Sequence, residues 1–171
     1  FFIMGFGYFT AETALKTPLP SARWAWAGFW TALAGVLMTV AAILSGQASV
    51  LYTFYPPMTA TPWFYVGLVL VVVGSWIWVG VMLVAMARFK RANPGAPVPL
   101  AMYATVANAI MWLWTTAGVS AEILFQILPA VFGWKQTIDV GLSRTLFSWT
   151  LHAIVYFWLF PAYIALSTIA P

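Results

Sequence analysis

Long apolar stretches separated by short polar segments run along this chain, and four of them are long enough to cross a bilayer. A hydrocarbon core about 30 Å thick needs about 20 helical residues. Lipid cannot satisfy unpaired backbone groups, so we expect each stretch to be an α-helix. A shorter apolar run at the start has the character of the end of another membrane helix. The predicted spans are residues 24–45, 63–87, 99–129 and 144–170, with the preceding helix end at 1–9.

Basic residues are distributed unevenly between the connections on the two sides of these spans. The positive-inside rule assigns the side with more Lys and Arg to the cytoplasm. We therefore expect the segment before the first span and residues 88–99 to be cytoplasmic. With alternating crossings, five basic residues fall on that side and two on the other: Lys16, Arg23, Arg88, Lys90 and Arg91 against Lys135 and Arg144.

The composition supports this membrane assignment. Hydrophobic residues make up 64% of the 171 residues and charged residues 6%, whereas soluble domains average about 45–50% and about 25%. The seven basic residues do not cluster as a nucleic-acid partner requires. With no cysteine, disulfide scaffolds, thiolate metal sites and cysteine nucleophiles are excluded. We expect an all-α integral membrane protein surrounded by lipid, with residues 1–171 in a single membrane domain.

The connection at residues 45–62 has no charged residue and several aromatic and proline residues, including Phe54, Tyr55 and Pro56. A free extracellular loop is rarely so apolar. Two interpretations remain open from the residues alone. Either the loop packs on the helix bundle or beneath a partner subunit, or its aromatic residues form a belt at the membrane interface.

The last span carries the only histidine of the chain, His152, within a stripe of polar residues. Side chains four or seven residues apart lie on one face of a helix, so the stripe should be continuous. One interpretation is a set of hydrogen bonds between helices. The other is a metal or cofactor site near the outer half, reached from the cytoplasm by hydroxyls that relay protons. The stripe consists of Ser148, His152, Tyr156, Tyr163 and Ser167.

Glu122 is a second candidate, because it is an acid inside the third predicted span. An ionised carboxylate in a membrane is costly unless it is paired or hydrated. It could serve as a proton-carrying group or a subunit contact. We favour the simpler alternative, a polar residue near the interface that bonds to Thr, Ser or water.

The stripe also matches a family motif. The run His152-Ala-Ile-Val-Tyr-Phe-Trp-Leu-Phe-Pro-Ala-Tyr163, preceded by Arg144-Thr-Leu-Phe-Ser-Trp-Thr, resembles the sixth helix of subunit I of haem-copper oxygen reductases. The closest pattern is His-Pro-Ile-Val-Tyr-Phe-Trp of the B-type terminal oxidases. Residues 50–57 and 91–95 resemble two loops of that branch. The resemblance implies an internal fragment, from the end of the second helix through the sixth, of a bundle of about twelve helices.

The resemblance implies a role for each residue of the stripe. His152 would be a ligand of the copper ion CuB. Tyr156 would be joined covalently to His152 and would donate an electron and a proton to oxygen. Tyr163 and Ser167 would belong to the proton pathway from the cytoplasm. The branch has a Tyr where this chain has Ser167, so the shorter hydroxyl would need a bridging water.

Two departures from the motif lie beside the histidine. The family has Gly and Pro where this chain has Leu151 and Ala153. Leu151 puts the details of an oxygen path in doubt, whereas Ala153 removes no ligand. The remaining copper and haem ligands would lie outside this segment, so the chain alone should bind neither cofactor stably.

The resemblance implies a proton-coupled terminal oxidase that reduces O₂ to water, in the plasma membrane of a prokaryote. Its partners would be the remaining helices of subunit I, a CuA-bearing or quinol-type subunit II, and cytochrome c or quinol as electron donor. A nitric oxide reductase of the same superfamily is disfavoured, because those enzymes lack the tyrosine at Tyr156. A non-catalytic membrane or transport module, whose polar stripe only joins helices, is the alternative from a different class.

Overall fold

The computed structural model describes residues 1–50 and 53–169. Within them, four helices are long and apolar enough to cross a membrane, and the predicted all-α membrane fold is confirmed. The third of these helices is interrupted by one π-helical turn. The elements in chain order are α1 (Phe2–Leu15), α2 (Ala22–Leu44), α3 (Pro62–Ala92), α4 (Leu100–Glu122), the π-turn (Ile123–Ile127), α5 (Leu128–Val131) and α6 (Val140–Ile169).

The helices extend beyond the apolar stretches that predict them. α1 continues to Leu15 rather than ending at residue 9, and α3 continues through its basic residues to Ala92. A helix need not stop where lipid stops, since its last turn can project into the polar interface. Lys90 and Arg91 lie in the last turn of α3, where positive charge stabilises the helix dipole. Ala170, the predicted end of the last span, lies outside the described residues.

Glycines bring α2 and α3 into backbone contact. Gly28 faces Gly74, and Gly35 faces Gly67. A Cβ atom on Gly74 would lie 2.6 Å from the carbonyl oxygen of Gly28 and 2.7 Å from the backbone nitrogen of Ala32. Helices in lipid associate through close van der Waals packing of small residues. The separation of α2 and α3 is therefore set by the absence of side chains at these four positions.

Indole groups of two tryptophan residues join α3 to α4. Trp76 Nε1 donates a 2.7 Å hydrogen bond to Thr116 Oγ1, and Trp112 Nε1 donates a 2.8 Å bond to Ser75 Oγ. Both bonds connect α3 with α4. Both rings are only partly buried, but their N–H donors find partners inside the protein, as they must where lipid offers none.

The uncharged connection after α2 folds onto the bundle. A two-residue strand β1 (Ala48–Ser49) pairs antiparallel with β2 (Thr59–Ala60). Between the strands, the ring of Phe54 packs edge to face on Phe147 of α6, with ring centroids 4.9 Å apart. Packing on the helices, the first of the two interpretations above, is therefore what the structure shows. Leu51 and Tyr52, part of the family-like loop, lie outside the described residues.

The two basic segments lie at the same end of the bundle. Arg88 Nη1 of α3 donates a 2.9 Å hydrogen bond to the carbonyl oxygen of Pro20, which precedes α2. This contact is what we expect for two segments that are separated by two membrane crossings, α2 and α3, and therefore lie on the same side.

Adding one methyl group at Gly74 should destabilise the protein. We expect Gly74→Ala in the full-length protein to lower the free energy of unfolding by about 1–3 kcal/mol, because α2 and α3 must separate. Equilibrium unfolding in mixed micelles would measure the change. Gly80→Ala on the same helix is the control, since a Cβ there meets nothing within 4 Å. Equal losses for both variants would contradict the proposed backbone contact.

Candidate functional site

Helix α6 has a buried face and an exposed face. The buried face packs against the rest of the bundle, and its ring Phe157 lies against Trp112 with centroids 4.2 Å apart. The members of this face recur at the spacing of successive helical turns. They are Ser143, Phe147, Thr150, Phe157 and Ile164.

Thr150 fixes α6 against α4. Its Oγ1 accepts a 2.9 Å hydrogen bond from the backbone N–H of Val119 and donates a 2.8 Å bond to the carbonyl oxygen of Thr115. In a regular helix those two backbone groups bond to each other. The Thr150 hydroxyl thus bridges the N–H of Val119 and the carbonyl of Thr115 in α4, and Gly118 beside them allows the close approach. These two bonds fix the rotation of α6 about its own axis and its position along α4.

The polar stripe lies on the opposite, exposed face. Tyr156 is 62% exposed and Tyr163 is 60% exposed. His152 and Ser167 are exposed as well, and Ser148 is half-buried. The structure therefore brings the predicted residues onto one face, as their spacing requires. This face points away from the other helices of the chain.

The stripe does not join helices within the described part of the chain. His152 Nδ1 lies 2.9 Å from the carbonyl oxygen of Ser148, and Ser167 Oγ donates a 2.9 Å bond to the carbonyl oxygen of Ile164. Both bonds are local to α6. Interhelical hydrogen bonding among these helices, the simpler interpretation of the stripe, therefore does not account for it.

His152 could supply one ligand to a copper ion. Imidazole suits copper, provided that the coordinating ring nitrogen is unprotonated. If Nδ1 donates to Ser148, the other nitrogen, Nε2, carries the free lone pair on the exposed face. One nitrogen thus fits metal binding without rearrangement. A covalent bond to Tyr156 as well would need both nitrogens, and the imidazole would then have to leave the Ser148 carbonyl.

The other side chains do not complete a metal site. Among residues 1–50 and 53–169, no group of three or more His, Asp or Glu side chains could hold an ion. A single imidazole does not bind copper stably, so further ligands must come from elsewhere.

The residues beside His152 have different surroundings from the stripe. Leu151 is partly buried and packs against the cluster that contains Phe64, Tyr65 and Phe147. Its side chain thus fills space between α6 and the bundle. Ala153 is half-buried.

Glu122 differs from the expectation. The side chain is 0% exposed, and neither carboxyl oxygen has a hydrogen-bond partner among the described residues. The predicted bond to a Thr or Ser side chain is therefore wrong, and the bond to water, the third predicted partner, stays a prediction. The sequence pattern also gave no indication of Thr150 or of the fully buried Ser143. Their positions follow from the register of α4 against α6, in which Gly118 allows the close approach.

Comparison with known proteins gives a consistent result. The family model described as cytochrome c and quinol oxidase polypeptide I matches residues 1–171. Cytochrome c oxidase subunit 1 of Thermus thermophilus is 40% identical over 146 residues, which are 85% of this chain and 26% of that protein. The cryo-EM structure of a heme-copper terminal oxidase dimer superposes with a TM-score of 0.91 at 42% identity. That match covers 96% of this chain and 28% of the other, so this chain spans about a quarter of its relatives.

Removing the Thr150 hydroxyl should loosen α6. We expect Thr150→Val to cost about 1–3 kcal/mol of unfolding free energy, because it removes two internal hydrogen bonds, each worth about 0.5–1.5 kcal/mol. Thr145→Val is the matched control, because that exposed hydroxyl bonds only to the Gly141 carbonyl of its own helix. Unfolding in mixed micelles would compare the two. An effect of Thr145→Val as large as that of Thr150→Val would contradict the assigned role.

Proposed function

The chain belongs to the family of cytochrome c and quinol oxidase polypeptide I, and on that premise we propose that it is part of a catalytic subunit that reduces O₂ to water. The parent enzyme is a proton-coupled terminal oxidase of the B-type branch. The observation that carries this proposal is the ordered stripe on α6, with His152 and Tyr156 exposed one turn apart. A site whose other parts lie on further helices requires such an outward face.

His152 is proposed as a ligand of CuB. A haem-copper centre, when bound, supplies the position for O₂ and the electrons that reduce it. The contribution of this chain is an imidazole nitrogen on a helix whose rotation is fixed by Thr150. The haem ligands and the other copper ligands belong to the remaining helices of the subunit.

Tyr156 is proposed as the group that donates an electron and a proton to oxygen. It lies one helical turn from His152, towards the end of α6 that the orientation places in the cytoplasm. Side chains four residues apart on a helix are neighbours, which supports a covalent bond between the two rings. A bonded ring cannot rotate away, so its phenol oxygen would hold its proton at a fixed place beside the reacting oxygen.

Tyr163 and Ser167 are proposed as the proton pathway that refills Tyr156. They continue the stripe for about three more turns. Ser167 is exposed and its hydroxyl donates to its own helix, so its oxygen can still accept a bond from water. A chain of hydroxyls and water moves protons without moving side chains far.

The orientation and partners follow from the same proposal. The segments with Lys16 and Arg23 and with Arg88–Arg91 are cytoplasmic, in the plasma membrane of a prokaryote. Support comes from their greater positive charge and from their common end of the bundle. Electrons come from cytochrome c or quinol through a CuA-bearing or quinol-type subunit II.

Tandem mass spectrometry of the native protein tests the site directly. We expect the peptide spanning His152 and Tyr156 to be lighter by the mass of two hydrogen atoms and to resist fragmentation between those residues. Tyr156→Phe is the control, because phenylalanine has no hydroxyl to direct such a bond. An unmodified peptide in active, metal-loaded enzyme would contradict the role of Tyr156 and favour the reductase alternative.

Removing the Tyr163 hydroxyl should slow proton delivery to Tyr156 without changing the copper and haem content of the enzyme. We expect Tyr163→Phe to lower turnover by about 10²-fold, the usual scale for one proton-transfer group. Oxygen consumption would be measured beside copper and haem content, which should not change. Tyr103→Phe on α4, a residue similarly exposed at 62%, should leave turnover intact. Normal turnover of Tyr163→Phe would remove this residue from the pathway.

A further inference from the structure

Glu122 is enclosed completely by this chain. Its side chain is 0% exposed, and both carboxyl oxygens lack a protein hydrogen-bond partner. Burial inside α3, α4 and α6 does not depend on the rest of the longer protein. A cation on another helix or subunit therefore cannot reach the carboxyl group in this arrangement.

The surroundings favour the neutral acid. An isolated ionised carboxylate in an apolar interior is so costly that such a group takes up a proton instead. The neighbours of Glu122 along the helix, Val119 and Ile123, belong to a buried hydrophobic cluster that also contains Tyr65 and Phe147. The neutral acid still has an O–H donor and a carbonyl acceptor to satisfy.

A second buried polar group without a hydrogen-bond partner, the Ser143 hydroxyl, lies level with Glu122 along the helices. Gly118 of α4 meets Leu146 of α6, and Val119 meets Thr150. One turn further along this antiparallel pair, the register places Ser143 level with Glu122. Ser143 is also fully buried, and its hydroxyl has no partner. Two buried polar groups at one level, each without a protein partner, indicate a site for bound water.

Two further polar side chains, Gln126 and Lys135, lie on the side of Glu122 that leads to the connection before α6. Gln126 is buried one turn beyond Glu122, and its Oε1 accepts a 2.8 Å hydrogen bond from Lys135 Nζ. Lys135 is half-buried in the connection before α6. The turn Ile123–Ile127 between Glu122 and α5 is π-helical, a distortion found often at functional sites. Gln126, bonded to Lys135, thus lies one helical turn from the buried acid, on the side of the connection before α6.

We propose that Glu122 is a proton-holding site in the half of the membrane that carries Lys135. The carboxyl group is neutral at rest, shares water with Ser143, and exchanges its proton with that surface through Gln126 and Lys135. The other titratable group near it is Tyr65 of α3, which lies within electrostatic reach. Asp139 is exposed and accepts from the backbone of Leu142 instead. The proposal does not rest on oxygen reduction.

Infrared spectroscopy of the full-length protein in its native membrane tests the neutral acid. A protonated carboxyl group has a C=O stretching band that a carboxylate lacks, and no reagent has to reach the enclosed side chain. The chain has three acids, which gives internal controls. We expect a protonated-acid band in the unaltered protein that Glu122→Gln lacks. Glu12→Gln and Asp139→Asn should keep this band.

The connection to the surface is tested by the time course after a pH jump. A rise in external pH should lower the intensity of the protonated-acid band as Glu122 loses its proton. We expect Gln126→Leu to slow this response by about tenfold. Gln136 is an exposed glutamine nearby, and Gln136→Leu should leave the response unchanged. A band that ignores external pH in the unaltered protein would overturn the exchange. A spectrum in which Glu122→Gln removes no protonated-acid band would overturn the neutral buried acid.

Discussion

Polar groups inside a bilayer find no hydrogen-bond partner in lipid, and this constraint governs how the hydroxyls and indoles between the helices of the chain bond. The structure satisfies it in two ways. Some hydroxyls bond to the carbonyl one turn earlier in their own helix, as Thr105 does. Others join two helices, as Trp76 and Thr116 do. Among the described residues, buried polar atoms that do neither occur in Thr61, Asn108, Glu122 and Ser143. The level of Glu122 and Ser143 is one of the two places where chemistry is proposed, and the exposed face of α6 is the other.

The buried face of α6 holds the helix in place, and its exposed face carries the residues proposed for catalysis. Phe157 and Thr150 hold the helix against α3 and α4, so the stripe gains a defined position without itself contributing to the packing. A ligand on a helix fixed by its opposite face can be aligned to within a fraction of a turn. Catalytic geometry of this kind depends on the supporting contacts as much as on the ligand itself. Leu151, which packs on the supporting side, belongs to this scaffold.

The sequence predicts the features that depend on one segment at a time. The spans follow from apolar length, and the stripe follows from the spacing of His152 and Tyr156 along one helix. Features that depend on two segments were not predictable. The burial of Glu122 and the bridging role of Thr150 require the register of α4 against α6, which periodicity does not contain. The extension of α1 to Leu15 was missed because apolar length marks the edge of lipid and not the end of a helix.

The bridge made by Thr150 also has a consequence for motion. A slide of α6 along α4 by a single residue, about 1.5 Å, would break both bonds to the hydroxyl together. Small thermal displacements of the two helices should therefore be correlated, with α4 and α6 moving as one body. Vibration of the bundle would then carry the histidine and the tyrosines along as a group, preserving their mutual distances while the surrounding membrane fluctuates.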